Sequence, residues 1–259
     1  GIAPFYTLNL PILKKMLCFI SQVASNYVDF LVSKECKNTI LQSFLNFIDK
    51  YNSVSVVYLK IAEPSASLHT VCEGMEKLGW YNFSKFPYTK RLVVNFTNTY
   101  EDYLRGLSRK MRYEMVSARK ILEKAYKIVF SPIRNNLSFD HRLNIVYELN
   151  RKRWGNNMMQ LQNIYSVCYR YMQTKNMVDT FILFLDENPV AAISAIVVDY
   201  TIYAEWAGFN RELYDVDLGK VLYGYIFEWA INNGYKIFVF SSGEESYKLR
   251  FGPTLFDKW

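Results

Sequence analysis

Two periodicities of apolar residues run along the chain. Short apolar segments bounded by Gly, Pro, Asn or Asp predict strands. Longer segments with apolar residues three or four positions apart predict amphipathic helices. The two kinds of segment alternate along the sequence, and such alternation predicts an α/β fold with a mixed sheet.

The predicted elements form two groups. Before residue 97, strands are predicted at 2–8, 16–20, 27–32, 54–61 and 91–96, and helices at 38–50 and 66–78. After it, helices are predicted at 100–125, 139–154 and 160–173, and strands at 127–131, 181–185, 190–198, 201–209 and 235–240.

Residues 214–222, between two predicted strands, contain a turn and the start of a further helix. Asp217 and Gly219 favour the turn, and Gly234 ends the helix. A glycine loop at a helix start leaves backbone N–H groups and the positive end of the helix dipole exposed, which suits a phosphate. A purely structural turn would give the same pattern. One buried helix face is predicted from the spacing of Val221, Leu222, Tyr225, Ile226, Trp229 and Ala230.

Composition narrows the class of protein. With 51% apolar residues the chain has enough material for a packed core, which excludes a disordered protein. No apolar run approaches the ~20 residues of a membrane helix. Residues 1–4 lack the layout of a signal peptide, and we expect a cytoplasmic protein with no membrane span. A strand-like start also suggests a truncated N-terminus.

Metal chemistry has no candidate cluster in the sequence. The cysteines lack paired spacing, which argues against a zinc site or disulfide framework and favours buried free thiols. The two histidines lie in helix-like segments without a partner motif. The residues concerned are Cys18, Cys36, Cys72, Cys168, His69 and His141.

The net charge of +7 suits an anionic partner, namely a nucleotide cofactor, an acidic carrier protein or RNA. Between Arg105 and Lys127, a stretch that covers most of the predicted helix 100–125, eight residues are basic and two are acidic. Such a stripe is either a solvated face or a groove wall that contacts phosphates, an acidic carrier or the acceptor arm of a tRNA. Arg112 in this stripe is a candidate substrate-binding residue.

The order of these elements resembles the acyl-donor half of the GNAT superfamily of N-acyltransferases. The pattern Gly243, Tyr247-Lys248 and Phe251-Gly252 resembles a bacterial branch often linked to cellulose biosynthesis and distantly related to Fem-type peptidoglycan aminoacyltransferases. Residues 2–6, 27–31 and 107–112 also fit that branch. The resemblance implies a tandem GNAT-like fold, with an N-terminally incomplete first half at 1–96 and a donor-binding second half at 97–259.

The resemblance also implies the activity, an N-acyltransferase that moves an acyl group from acyl-CoA or another thioester to an amine without a metal. The strands 201–209 and 235–240 would splay to hold the acyl carbonyl. The donor diphosphate would lie over the backbone of Asp217, Leu218, Gly219, Lys220 and Val221. The loop departs from the family pattern of a Gln or Arg followed by spaced glycines, and this leaves room for an acyl carrier protein or an aminoacyl-tRNA as donor. The carboxylate of Asp217 would repel a phosphate unless it caps the helix.

Two residues are candidate catalysts. Glu205 lies in an apolar strand, where burial raises the pKa of a carboxyl group, and it is the candidate general base; an edge carboxylate facing water is the alternative. By resemblance, Tyr247 protonates the leaving thiolate, and Lys248 binds an anionic acceptor or phosphate. The expected acceptor is a small-molecule or cell-envelope amine. A Fem-type transferase that uses aminoacyl-tRNA and a non-catalytic binding protein of the same fold are the alternatives.

Overall fold

The structure of the protein, a computed structural model, divides into two compact units. One comprises residues 1–90 with 257–259, and the other comprises residues 91–256. The interpretation of these units as two GNAT-like halves stays a prediction, and the predicted strand 27–32 lies outside the described residues. The structure describes residues 5–9, 15–19, 36–50, 56–58, 66–79, 89–132, 137–155, 159–210, 216–240 and 245–258.

The smaller unit contains a three-stranded sheet and two helices within its described residues. Strands β1 (Phe5–Asn9) and β2 (Lys15–Phe19) are antiparallel, and β3 (Val56–Tyr58) runs parallel to β2. Helices α1 (Lys37–Lys50) and α2 (Ala66–Lys77) pack closely together. The buried side of α1 carries the apolar residues that the periodicity predicts, namely Leu41, Phe44, Leu45 and Ile48.

The larger unit is built on a seven-stranded mixed sheet in the order β10-β4-β9-β8-β7-β6-β5. β8 and β9 are parallel, whereas the pairs β4–β9, β5–β6, β6–β7 and β7–β8 are antiparallel. The mixed α/β fold is therefore confirmed. The strands are β4 (Thr89–Asn95), β5 (Ile128–Pro132), β6 (Val178–Leu185), β7 (Asn188–Val198), β8 (Thr201–Phe209), β9 (Ile237–Val239) and β10 (Thr254–Lys258).

Helices cover both faces of this sheet. The core on one face includes residues of α3, α4 and α7, and the core on the other includes residues of α5 and α6. The buried guanidinium of Arg142 ties α5 to the sheet, because it donates to Ser131 of β5 and Thr180 of β6. The helices are α3 (Tyr100–Gly106), α4 (Arg109–Ala125), α5 (Phe139–Trp154), α6 (Met159–Thr174), α7 (Leu218–Asn232) and α8 (Ser246–Leu249).

The prediction of one helix over 100–125 is wrong, because α3 ends at Gly106 and α4 begins at Arg109. The hydroxyl of Ser108 accepts a hydrogen bond from the N–H of Met111 at 3.2 Å and caps α4. Ser108 therefore starts a second helix despite the continuous apolar stripe. The short strand β10 was also missed by the sequence pattern.

Candidate functional site

Pairing between the two parallel strands of the larger sheet stops after three residue pairs. Their register starts with Thr201 beside Ile237 and ends with Tyr203 beside Val239. β9 ends there, whereas β8 continues alongside β7 as far as Phe209. Among the described residues, β8 beyond Tyr203 is therefore paired along one edge only, and we call the region along its unpaired edge the wedge.

A β-bulge lies in β8 where the wedge begins. Ser194 of β7 pairs with Trp206 and Ala195 pairs with Ala204, so Glu205 is the extra residue. The bulge changes which side chains face which side of the sheet. Ala204 belongs to the core shared with α7, and Trp206 belongs to the core shared with α5 and α6.

Glu205 lies half-buried beside aromatic residues of α6. Burial, and then the negative charge of Glu205, raise the pKa of both Tyr165 and Tyr169. The ring of Tyr165 packs edge-on against Trp206, with ring centroids 5.2 Å apart. The half-buried carboxylate therefore acts electrostatically on the hydroxyls of two tyrosines of α6.

Backbone groups of β8 line the wedge. The N–H of Asn210 donates to the carbonyl of Val190 in β7 at 2.7 Å. Successive residues of a strand direct their backbone groups to opposite edges, so Ala207 and Phe209 direct theirs into the wedge. Asn150 Nδ2 of α5 donates to the carbonyl of Ala207 at 2.8 Å. The N–H of Ala207 points to the same unpaired edge, where it can donate to the carbonyl oxygen of a bound acyl group.

Helix α5 approaches this part of β8 very closely. A Cβ on Gly208 would lie 2.2 Å from the backbone nitrogen of Asn150 and 2.3 Å from the carbonyl carbon of Leu149. Only glycine permits this contact. Gly208 therefore allows the C-terminal end of α5, which carries Arg153, to lie at the wedge.

The first turn of α7 adjoins the wedge. A Cβ on Gly219 would lie 3.4 Å from the ring of Phe209, the last residue of β8. Within the described residues, no acceptor takes the N–H of Gly219. Three neighbouring N–H groups are already satisfied, those of Leu218 (2.9 Å to Val216 O), Lys220 (3.1 Å to Asp217 Oδ1) and Val221 (3.2 Å to Asp217 O).

Four charged side chains form an ionic network at this helix start. Lys220 Nζ lies 2.8 Å from carboxylate oxygens of both Glu114 and Asp217, and Glu114 also pairs with Arg250 at 2.8 Å. Hydrogen bonds from Arg250 and then from Lys220 lower the pKa of Glu114 to about 2. Burial disfavours the charged form of Lys220, but the two carboxylates outweigh it and raise its pKa. The network contains two cations and two anions, so its net charge is zero.

Tyr247, the predicted general acid, lies on α8 within a second polar cluster. Its hydroxyl hydrogen-bonds with Tyr223 of α7 and with Arg153 of α5. Burial raises the pKa of Tyr247, although the guanidinium of Arg153 acts in the opposite direction. Arg153 also lies over the ring of Phe209, 4.9 Å from its centroid. Tyr247 is therefore protonated at neutral pH and positioned through Arg153 at the end of β8.

The two predicted substrate-binding residues occupy different settings. The ammonium group of Lys248 is buried and pairs with Glu245 at 2.7 Å. Burial, and more weakly the charge of Arg153, lower the pKa of Lys248, whereas Glu245 raises it. Arg112 donates to the carbonyls of Leu104 and Arg105 at 3.4 Å, where it satisfies the C-terminal end of α3. Their roles in substrate binding stay predictions.

Sequence reasoning missed Arg153 and Gly208. The run of cations at 151–153 has a sufficient explanation in the dipole of the helix that it ends, so nothing distinguishes Arg153 from its neighbours. A lone glycine in a strand is a weak sign of close backbone approach. It becomes informative only once α5 is known to cross at that position.

Within the described residues, no group of three or more His, Cys, Asp or Glu side chains could hold a metal ion. In the same part of the chain, no helix combines the length and apolar character needed to cross a membrane.

A mixed sheet whose two parallel strands stop pairing beside the start of a helix matches the acyltransferase fold class that the sequence resembles. Residues 109–249, more than half of the chain, match the family described as "Acetyltransferase (GNAT) domain". The chain belongs to this family. No curated protein sequence gives a significant match.

Solved structures share this fold at low sequence identity. FemX is 11% identical with a TM-score of 0.62, covering 98% of this chain and 82% of that one. L-PGS from Bacillus licheniformis is 14% identical with a TM-score of 0.60, covering 98% and 78%. A tandem GNAT protein from the clavulanic acid biosynthesis pathway is 10% identical with a TM-score of 0.51, covering 94% and 73%. At these identities the similarity concerns the fold alone.

Proposed function

We propose that this protein transfers an acyl group from a pantetheine thioester, as in acyl-CoA, to a primary amine. The observation that carries the proposal is the wedge, which opens beside the first turn of α7 and is lined by backbone N–H groups of β8. An extended thioester arm fits between parted strands, and its phosphate fits a helix start.

The donor would be held by backbone groups. The N–H of Gly219 and the dipole of α7 would bind a phosphate of the donor, and the backbone of residues 217–221 would surround it. The N–H of Ala207 would donate to the thioester carbonyl. This hydrogen bond becomes stronger as negative charge develops on the oxygen, so it stabilises the transition state.

The reaction needs three proton transfers at the reacting atoms. Glu205 would take a proton from the ammonium form of the acceptor, and the resulting amine would attack the thioester carbonyl carbon. The new C–N bond replaces the C–S bond, the attacking nitrogen would lose its second proton to water as the amide forms, and the leaving thiolate would receive a proton from Tyr247. Tyr223 and Arg153 would stabilise the phenolate of Tyr247 until it regains a proton from water.

Thiol release from acetyl-CoA in the presence of a panel of primary amines tests this proposal. We expect amine-dependent release that falls about 10²–10⁴-fold in Glu205→Gln and in Tyr247→Phe, because each variant removes one proton transfer. Tyr200→Phe is a matched control, because Tyr200 is 67% exposed. Full activity in both site variants would overturn the assignment of these residues.

A further inference from the structure

The outward surface of α4 is a basic face next to the proposed donor site. Four cations, Arg109, Lys110, Lys120 and Lys124, are exposed on it. At ~100° per residue they fall within about 120° of the helix circumference, along about 22 Å of its length. None of the four has an ion-pair partner among the described residues.

Two exposed apolar side chains lie within the same arc as these cations. Tyr113 is 71% exposed and Ile121 is 55% exposed, with partly buried Ser117 between them at intervals of four residues. Apolar residues with a charged rim are typical of protein interfaces. A nucleic-acid backbone would pair with the cations but would gain little from an exposed isoleucine. The basic face therefore suits an acidic protein surface that has an apolar centre.

The ionic network fixes this face beside the helix start of α7. Glu114, which follows Tyr113 in α4, pairs with Lys220 in the first turn of α7 and with Arg250 just after α8. The side chain of Glu114 is therefore directed towards the first turn of α7, whereas the four cations of the basic face are directed to solvent. A partner bound to the basic face would lie next to the opening of the wedge.

The charge of the helix start favours a donor with a single phosphate. Lys220 is neutralised by Glu114 and Asp217, and the carboxylate of Asp217 is itself half exposed. Free coenzyme A brings a diphosphate and a further phosphate on its ribose. The phosphopantetheine arm of a carrier protein brings one phosphodiester. The N–H of Gly219, which has no acceptor among the described residues, can bind it without a cation.

We infer that the thioester donor is presented on an acidic acyl carrier protein that docks on the basic face of α4. This inference rests on the proposed function and names its donor. The carrier would contact the four cations and the exposed side chains of Tyr113 and Ile121, and its phosphopantetheine arm would enter the wedge past the first turn of α7. The interface belongs to the small, transient class, in which charge complementarity sets the rate of encounter.

Binding of an acetylated, fluorescently labelled acyl carrier protein to the full chain tests the inference. The test variant combines Arg109→Glu, Lys110→Glu, Lys120→Glu and Lys124→Glu. The control combines Lys50→Glu, Lys77→Glu, Lys175→Glu and Lys236→Glu, which changes the net charge equally at exposed positions elsewhere. We expect the test variant to weaken carrier binding about tenfold or more, and the control about twofold or less.

Three results would overturn the inference. They are absence of carrier binding to the wild type, an equal effect of the two variants, and binding of a transfer RNA to the basic face in place of the carrier. Thiol release from acetyl-CoA, measured on the same preparations, tests the proposed function separately, because neither variant alters Glu205 or Tyr247. Acetyl-CoA activity that survives in the test variant while carrier binding is lost supports the inference.

Discussion

At the residue scale, Arg153 connects elements that are distant in sequence. It belongs to the last turn of α5, lies over Phe209 at the end of β8 and hydrogen-bonds to Tyr247 of α8. A guanidinium in this position favours the phenolate form of Tyr247 and so opposes the effect of burial. The chemistry proposed for Tyr247 therefore depends on a residue about ninety positions away.

Replacement of Arg153 by Met should slow acyl transfer about 10–100-fold, because the phenolate left after proton donation loses a cation. Since Arg153 lowers the pKa of Tyr247, any alkaline limb of the pH–rate profile set by Tyr247 should move to higher pH in the variant. Arg151→Met is the matched control on the same helix. A rate loss without movement of that limb would indicate a structural role for Arg153.

Glu114→Gln should change how stability depends on pH. The folded protein holds the pKa of Glu114 at about 2, below its ordinary value of 4.5. The ionised carboxylate therefore stabilises the fold above about pH 4.5, and this contribution is lost as the pH falls towards 2. The difference in unfolding free energy between wild type and variant, measured in urea, should be largest above pH 5 and should disappear near pH 2. A difference that stays constant across this range would contradict the assignment.

At the element scale, the close packing of α5 on β8 places α5 side chains beside the unpaired edge of β8. The contact at Gly208 sets the distance between them, and Asn150 occupies the carbonyl of Ala207. The apolar periodicity predicts both elements. It cannot predict how closely they pack, because the close packing depends on Gly208, which has no side chain where α5 crosses β8.

Gly208→Ala should destabilise the protein by about 2 kcal/mol or more, because the new methyl group meets backbone atoms that cannot move separately. Gly106→Ala is the control. A Cβ at Gly106 would have no neighbour within 4 Å, and we expect a change within about 0.5 kcal/mol. Chemical denaturation of both variants measures the difference. Equal stability of the two variants would mean that α5 does not pack on β8 at this distance.

At the scale of the whole molecule, the sequence predicts the mixed α/β class and most elements of the larger unit. These features depend on local periodicity, which a sequence displays directly. The bulge at Glu205 depends on the register between β7 and β8, and the network around Glu114 depends on contacts among three helical segments. Such long-range features leave no local signal. The helix cap at Ser108 is a local feature, but the apolar periodicity continues across it and therefore predicts one helix where there are two.

The proposed acyl transfer depends on the wedge as the binding site of the donor arm. Amide chemical shifts of the full chain, recorded during titration with a non-hydrolysable thioether analogue of acetyl-pantetheine phosphate, test this most directly. We predict saturable shifts at Gly219, Ala207 and Phe209, with little change at Leu183 in the middle of β6. Saturable binding that leaves Gly219 and Ala207 unchanged would contradict the account.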